Sequence, residues 1–231
     1  MAKASQILAK ARKENRKNLL EPEARALCEE YDIPFAKYRM AKTKEQAIKF
    51  AEELGYPIVL KIISPDIIHK SDVGGVALNL QRAQQVEEAY STILLNVKKH
   101  ESSARIMGVL VQEMAPPSTE VIVGAIKDDQ FGPAVMFGLG GISVEVLEDV
   151  AFRMAPVTRQ EAKSMITEIK AYPVLKGYRN RPAADIDAIA EILVNTSRLV
   201  ADNEEIKELD LNPVIVYEKG ARTVDARIIL E

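Results

Sequence analysis

The chain has 231 residues, of which 47% are hydrophobic and 28% charged, and its formal net charge at pH 7 is −3. This composition supplies a sizeable core without a general positive field, and Trp is absent, so no nucleic-acid partner is expected. Cys28 is the only cysteine, which excludes an intrachain disulfide and a cysteine-based metal site and favours a buried apolar role. No apolar run has the length of a membrane span, and we expect a cytoplasmic protein.

Hydrophobic periodicity and turn residues predict an α+β arrangement in the first half of the chain. Pro22 suits the first turn of a helix, the pair Thr43 and Gln46 forms a capping box, and Gly55 suits a helix end. The elements predicted are a helix within 1–20, a helix from 22 to about 31, an extended piece at 34–40, a helix from 43 to 55, a buried strand at 57–63, a strand at 76–80 and a helix ending near 100.

The second half is richer in strands and ends in a predicted hairpin. Its elements are strands at 105–114, 120–127 and 133–139, a glycine loop at 138–143, a helix capped by Thr158 and Glu161, an amphipathic helix at 185–200, and hairpin strands at 206–217 and 222–229. We expect a single domain over 1–231 with two α+β lobes and a cleft between them. The small lobe is expected at 21–110, and the large lobe at 111–231 together with 1–20.

A histidine and a glycine pair follow the first buried strand. His69 lies five residues before Gly74-Gly75, and Lys61 belongs to the strand itself. Glycines let backbone N–H groups approach an anion, and a lysine beside them can neutralise phosphate. The segment therefore predicts a phosphate site with His69 as phosphoryl acceptor. A lysine reaching the strand edge, and a histidine that only forms hydrogen bonds, are the plainer alternatives.

The run Glu208-Leu-Asp-Leu-Asn-Pro213 alternates polar and apolar residues. In a strand, Glu208, Asp210 and Asn212 would share one face while the leucines enter the core. Folding back at 218–220 brings Asp225 opposite Asn212. Asp210, Asn212 and Asp225 then offer the oxygen ligands that Mg²⁺ takes beside phosphates. The alternative is an acidic strand that faces solvent.

Two further segments carry weaker signals. Gln112, Glu113 and Met114 leave a strand toward Glu120, an arrangement that can offer backbone groups to a purine and a carboxylate to a ribose. Glu145 and Arg153 flank the glycine loop and can orient phosphate or metal, and surface pairing explains them equally well. The chain contains neither a Walker A sequence nor Gly-x-Gly-x-x-Gly, which argues against a P-loop NTPase or a dinucleotide-binding protein.

In this order, the segments resemble the ATP-grasp fold and, more closely, the β subunits of ADP-forming acetyl-CoA (acyl-CoA) synthetases. The resemblance runs from about residue 22 to residue 225, and the run from His69 to Gly75 is its specific part, since ATP-grasp enzymes in general do not require that histidine. The matching segments are Gly55-Tyr-Pro-Ile-Val-Leu-Lys61, His69-Lys-Ser-Asp-Val-Gly-Gly75, Gln112-Glu-Met114, Glu120-Val-Ile-Val-Gly124, Phe137-Gly-Leu-Gly-Gly141 and Glu208-Leu-Asp-Leu-Asn-Pro213.

The resemblance implies a two-lobed ATP-grasp fold that binds ADP or ATP in the cleft between the lobes. It implies that Lys61 contacts the phosphates, Gln112 to Met114 form the adenine hinge and Glu120 approaches the ribose. It further implies Mg²⁺ on Asp210, Asn212 and Asp225, although succinyl-CoA synthetases usually have glutamate where this chain has Asp210.

The same resemblance implies a partner. An α subunit would carry the CoA-binding and ligase domains and a primary phosphohistidine, in an α2β2 assembly. His69 would take the phosphoryl group as a second phosphohistidine and pass it to ADP. The alternatives are another ATP-grasp carboxylate ligase and a nucleotide-sensing ATP-grasp module of an acyltransferase system.

Overall fold

The computed structural model describes residues 2–141, 148–177 and 182–231. They form two compact units, a smaller one of residues 36–116 and a larger one of the segments up to residue 35 and from 117 onward. The sequence led us to expect boundaries after residues 20 and 110. The helix at 21–29 belongs to the larger unit because it packs against the first helix and the last strand. Among the described residues, no helix combines the length and apolar character needed to cross a membrane.

The labels of the helices and strands below follow chain order. The helices of the described residues are α1 (Ala2–Lys13), α2 (Glu21–Glu29), α3 (Lys44–Leu54), α4 (Ala83–His100), α5 (Arg159–Glu168), α6 (Tyr172–Leu175) and α7 (Ile186–Asp202). The strands are β1 (Tyr38–Ala41), β2 (Ile58–Ile63), β3 (Val76–Leu80), β4 (Gly108–Glu113), β5 (Thr119–Asp128), β6 (Gly132–Leu139), β7 (Val150–Met154), β8 (Ile206–Val216), β9 (Ala221–Thr223) and β10 (Arg227–Leu230).

The smaller unit is a four-stranded antiparallel sheet, in the order β1-β4-β2-β3, with α3 and α4 packed on one face. All six residues of β2 are buried, as the apolar run predicts. Ile58, Leu60 and Ile62 belong to the hydrophobic cluster under the helices. Because side chains alternate along a strand, Val59 and Lys61 project from the opposite face of the sheet.

Two helices begin where the sequence predicts, and the first of them also ends there. The Thr43 hydroxyl accepts the Gln46 backbone N–H at the start of α3, and Gly55 ends that helix with a φ of +85°. Thr158 and Glu161 form a complete capping box at the start of α5. Such caps satisfy N–H groups that the helix itself leaves without partners.

The larger unit contains an antiparallel sheet in the order β10-β8-β5-β6-β7, and β9 also pairs with β8. Helices α5 and α7 pack over one face, and α1 and α2 contribute to the same hydrophobic cluster. Cys28 on α2 is fully buried in that cluster, as the sequence predicts. The sequence did not predict β7, which adds an edge strand beside β6.

The predicted return strand of the hairpin is interrupted. Thr223 pairs with Val214 and Arg227 pairs with Asp210, while residues 224–226 between them are not part of a strand. The register is the same on both sides of this gap, so Asp225 falls opposite Asn212. The interruption therefore keeps the expected alignment and frees residue 225 from the regular ladder.

Candidate phosphoryl-transfer site

His69 lies in a loop of residues 64–75, between β2 and β3, that is anchored on both sides of the histidine. On the early side, Asp66 accepts from the backbone N–H of Arg105 at 2.8 Å and from its guanidinium at 2.8 and 3.1 Å. These bonds hold the pKa of Asp66 at about 2. Ile67, next along, is buried in the core of the smaller unit.

The later side of this His69 loop is closed by the two glycines. Gly75 N–H donates to the Lys70 carbonyl at 2.7 Å, and Gly74 N–H donates to the Ser71 carbonyl at 3.1 Å. Both amides are therefore used inside the loop and do not form an open anion cradle here. Close packing explains the residue type, because a Cβ on Gly75 would lie 2.6 Å from Ile62 Cγ2.

His69 itself is exposed between these two anchors. Within the described part of the chain its imidazole makes no hydrogen bond or ion pair. An imidazole nitrogen without an internal partner is a competent nucleophile toward phosphorus. The arrangement holds a reactive side chain in solvent on a loop whose ends are fixed.

Lys61 and Gln112 share one face of the smaller sheet. Lys61 pairs across the ladder with Leu110, and Gln112 pairs with Val59. Only 6% of Lys61 and 2% of Gln112 are exposed. A buried ammonium is stabilised by negative groups, and a bound phosphate would be one such group. The structure therefore places a cation and an amide on the sheet face opposite α3 and α4.

The predicted hinge is tied closely into the sheet. The backbone N–H of Glu113 donates to the Lys37 carbonyl at 2.9 Å, and that of Met114 donates to the Pro57 carbonyl at 3.0 Å. The Glu113 carboxylate accepts from the Lys37 N–H at 3.0 Å. The N–H groups of Glu113 and Met114 thus have partners within the smaller unit, and purine recognition through them would require an exchange of hydrogen bonds.

The remaining candidates belong to the larger unit. Glu120 is exposed at the start of β5, and its carbonyl accepts the Gly140 N–H at 2.8 Å. Glu145 lies outside the described residues. Arg153, which follows the glycine loop, forms an ion pair with Glu168 on α5. This contact agrees with surface pairing, the alternative to a role in orienting phosphate or metal.

Two of the proposed metal ligands lie on one face of β8, and the third lies on the segment opposite that strand. Leu209 and Leu211 are buried in the core, so Asp210 and Asn212 project from the other face. The register places Asp225 opposite Asn212. The backbone register thus gives Asp210, Asn212 and Asp225 neighbouring positions, and their role as metal ligands stays a prediction.

The electrostatics of Asp210 show that other carboxylates are close. Burial raises its pKa, the guanidinium of Arg227 at 3.8 Å lowers it, and the carboxylates of Asp225 and Glu208 raise it again. Two carboxylates and an amide oxygen are hard donors, which fit Mg²⁺. Across the described ranges, no group of three or more His, Cys, Asp and Glu residues is placed to hold a metal ion, and this set contributes only two such residues, both Asp, beside Asn212.

Sequence reasoning missed Arg25, which contacts the backbone next to one of the predicted metal ligands. Arg25 is fully buried on α2 and donates to the carbonyl of Val224, the neighbour of Asp225. The available signal was an arginine on the apolar face of a helix, four residues after Glu21, which is the spacing of an ion pair.

Comparison with known proteins adds a family to this geometry. A family model described as an ATP-grasp domain matches residues 10–230. The β subunit of acetate–CoA ligase [ADP-forming] I from Pyrococcus furiosus is 50% identical over 230 residues, which cover 100% of this chain and 99% of that protein.

Solved structures agree with this similarity. The acetyl-coenzyme A synthetase 1 of Ca. Korarchaeum cryptofilum, in complex with coenzyme A and Ca-AMPCP, matches with a TM-score of 0.97 and 51% identity, covering 99% of this chain and 100% of that one. The same enzyme with Mg-AMPPCP, its phosphohistidine segment pointing towards the nucleotide-binding site, matches with a TM-score of 0.87 and 48% identity, covering 99% and 100%. The chain therefore belongs to the ATP-grasp family and, within it, to the β subunits of ADP-forming acetate–CoA ligases.

Proposed function

We propose that this chain binds ADP or ATP with Mg²⁺ and that His69 relays a phosphoryl group between the nucleotide and a partner α subunit in the cytoplasm. The observation that carries the proposal is an exposed imidazole on a loop anchored by Asp66 and by Gly75. The P. furiosus relative is named a β subunit, which supports a partner, and an α2β2 assembly is the form we propose.

The overall reaction is acyl-CoA + ADP + phosphate = acid + ATP + CoA. On the partner, phosphate displaces CoA to give an acyl phosphate, and a histidine there takes the phosphoryl group and releases the acid. A nitrogen of His69 then attacks phosphorus, and the partner's histidine leaves. ADP finally attacks phosphorus on His69, so that ATP forms and the imidazole is restored.

The residues of this chain have separable roles in that sequence. Lys61 binds phosphate oxygens and offsets the charge that the transferring group carries. Asp210, Asn212 and Asp225 would hold Mg²⁺, which, when bound, neutralises charge on the phosphates. Glu120 and the segment 112–114 bind the nucleoside portion of ADP or ATP. Glu145 stays a prediction.

The test is transfer of label from [γ-³²P]ATP with Mg²⁺, with and without the partner subunit. The chain has two histidines, and His100 is exposed at the end of α4, so His100→Ala is a matched control for His69→Ala. We expect acid-labile, base-stable label on the wild type and on His100→Ala, and none on His69→Ala.

The alternatives give different results. A carboxylate ligase that works without a relay would consume ATP equally well with His69→Ala. A nucleotide-sensing module would bind ATP and remain unlabelled even with the partner present. Either result would overturn the relay.

A further inference from the structure

A buried ion pair on α2 contacts the segment that carries Asp225. Arg25 has no exposed surface, and its Nη2 lies 2.7 Å from the Val224 carbonyl oxygen. The same guanidinium donates to Glu21 Oε1 through Nε at 3.1 Å and Nη2 at 2.5 Å. The ring of Phe35 lies 5.2 Å from the Arg25 guanidinium carbon. The guanidinium is thus fixed on several sides while it holds one backbone carbonyl.

That carbonyl belongs to the interruption between β9 and β10. Val224 N–H donates to the Pro213 carbonyl at 3.1 Å, so β8 holds one backbone group of this residue and Arg25 holds the other. Just before it, Thr223 N–H donates to the Pro34 carbonyl at 2.9 Å. Because residues 224–226 lie outside the regular ladder, these individual bonds set the position of the backbone there.

We propose that Arg25 is a positioning residue for Asp225, and that it acts by fixing the peptide of Val224 so that the Asp225 carboxylate stays aimed at Mg²⁺. The inference rests on the metal set of the proposed function. Arg25 is assigned no contact with nucleotide or metal in this scheme; it contacts Glu21, Phe35 and the Val224 carbonyl.

The chemistry of the pair favours positioning over general stability. Replacing a buried ion pair by apolar residues of similar volume is often neutral for folding, so stability alone gives little reason for one here. A guanidinium can donate to a carboxylate and to a carbonyl at the same time from a rigid planar group. Lysine offers a shorter and more flexible donor that reproduces only part of this geometry.

The experiment measures binding of Mn²⁺, as a probe for Mg²⁺, to the full chain in the presence of ADP. The variants are Arg25→Met, Arg25→Lys and the double variant Glu21→Leu/Arg25→Met, which removes the pair without leaving a buried charge. Hydrogen exchange of the peptide covering 221–230 is followed in parallel.

The matched control is Arg16→Met. Arg16 is only 8% exposed and donates to Glu23 at 2.8 and 3.0 Å, so it is a second buried arginine of the larger unit. Its partners are Glu14, Asn18 and Glu23, away from residues 223–226.

Outer residues that orient metal ligands typically alter affinity by about 10- to 100-fold. We expect a loss of Mn²⁺ affinity in that range for Arg25→Met and the double variant, a smaller loss for Arg25→Lys, and none for Arg16→Met. Exchange at 221–230 should rise only in the Arg25 variants, and ADP affinity without metal should stay unchanged.

Each contrary result has a distinct meaning. If Arg25→Met and the double variant bind Mn²⁺ as tightly as the wild type, this inference is overturned and the proposed function is not affected. An equal loss in Arg16→Met overturns it as well, since the effect would then be general destabilisation. Failure of the wild type to bind Mn²⁺ with ADP overturns the metal set of the proposed function and this inference with it.

Discussion

The substitution Gly75→Ala should displace the His69 loop. A Cβ at residue 75 would lie 2.6 Å from Ile62 Cγ2 and 2.8 Å from the Lys70 carbonyl oxygen. Ile62 is 1% exposed in the core, and the Lys70 carbonyl accepts the bond that closes the loop, so neither neighbour moves easily.

The magnitude follows from two opposing effects. Overpacking costs about 1–3 kcal/mol, and the loss of glycine entropy in the unfolded chain returns about 0.4–1 kcal/mol. We therefore expect a net loss in the free energy of unfolding of about 1–2 kcal/mol, which lowers Tm by about 2–8 °C for a chain of this size. The rate at which His69 takes up label should fall as well, because the loop moves.

Thermal unfolding and the labelling assay are run side by side, with Gly132→Ala as the control. Gly132 has a φ of +82° and no atom within 4 Å of a built Cβ. Its substitution should cost about 1–2 kcal/mol of backbone strain and leave labelling unchanged. A Gly75→Ala variant with the wild-type Tm would refute the packing argument. If labelling were nevertheless lost, the added Cβ would be interfering with phosphoryl transfer itself and not with the packing of the loop.

Lys61→Met should weaken ADP binding by about 10- to 100-fold, since a hydrogen bond to a charged group contributes about 1.5–3 kcal/mol. Calorimetry with ADP measures the affinity, and an unchanged affinity would show that Lys61 does not bind the nucleotide. The pKa of Asp66 falls from 3.8 to about 2 through Arg105, so the stability it adds is present above about pH 4 and is lost as pH falls through about 2. Urea unfolding should show Asp66→Asn less stable than wild type at pH 6, with a difference that shrinks toward pH 2; a constant difference would contradict this. Asp185 caps α7 and accepts the Gly220 N–H at 2.8 Å, so Asp185→Ala should lower the free energy of unfolding by about 1–2 kcal/mol, while an unaltered urea midpoint would count against the cap.

Residues whose role depends on local chemistry were predictable from the sequence. The cap at Thr43 marks the start of α3, and the glycine at 55 marks its end. The alternation from 208 to 212 predicts which side of β8 faces the core. These signals depend on residue type and on spacing within one element, and both are visible in the sequence. The same alternation, with the turn at 218–220, located Asp225 opposite Asn212.

Features set by tertiary contacts were not predictable in this way. Strand β7 is apolar at four of its five positions although only Ala151 is buried, so its sequence does not show the alternation of a half-buried strand. The amides of Gly74 and Gly75 were predicted to bind phosphate, but their carbonyl partners depend on how the loop closes. The role of Arg25 could be recognised only from the folded structure, since its acceptor lies 199 residues away along the chain.

The division of the chain into segments has a consequence for the order of folding during synthesis. The smaller unit is continuous, so all of its strands are synthesised before residue 117 is added. The larger unit joins the first 35 residues to the last 115, and Lys17 bonds to Leu230 while Arg25 bonds to Val224. Because domains fold as units once their segments are available, the His69 loop can form early, and Asp225 takes its place only after the segment that contains it has been synthesised.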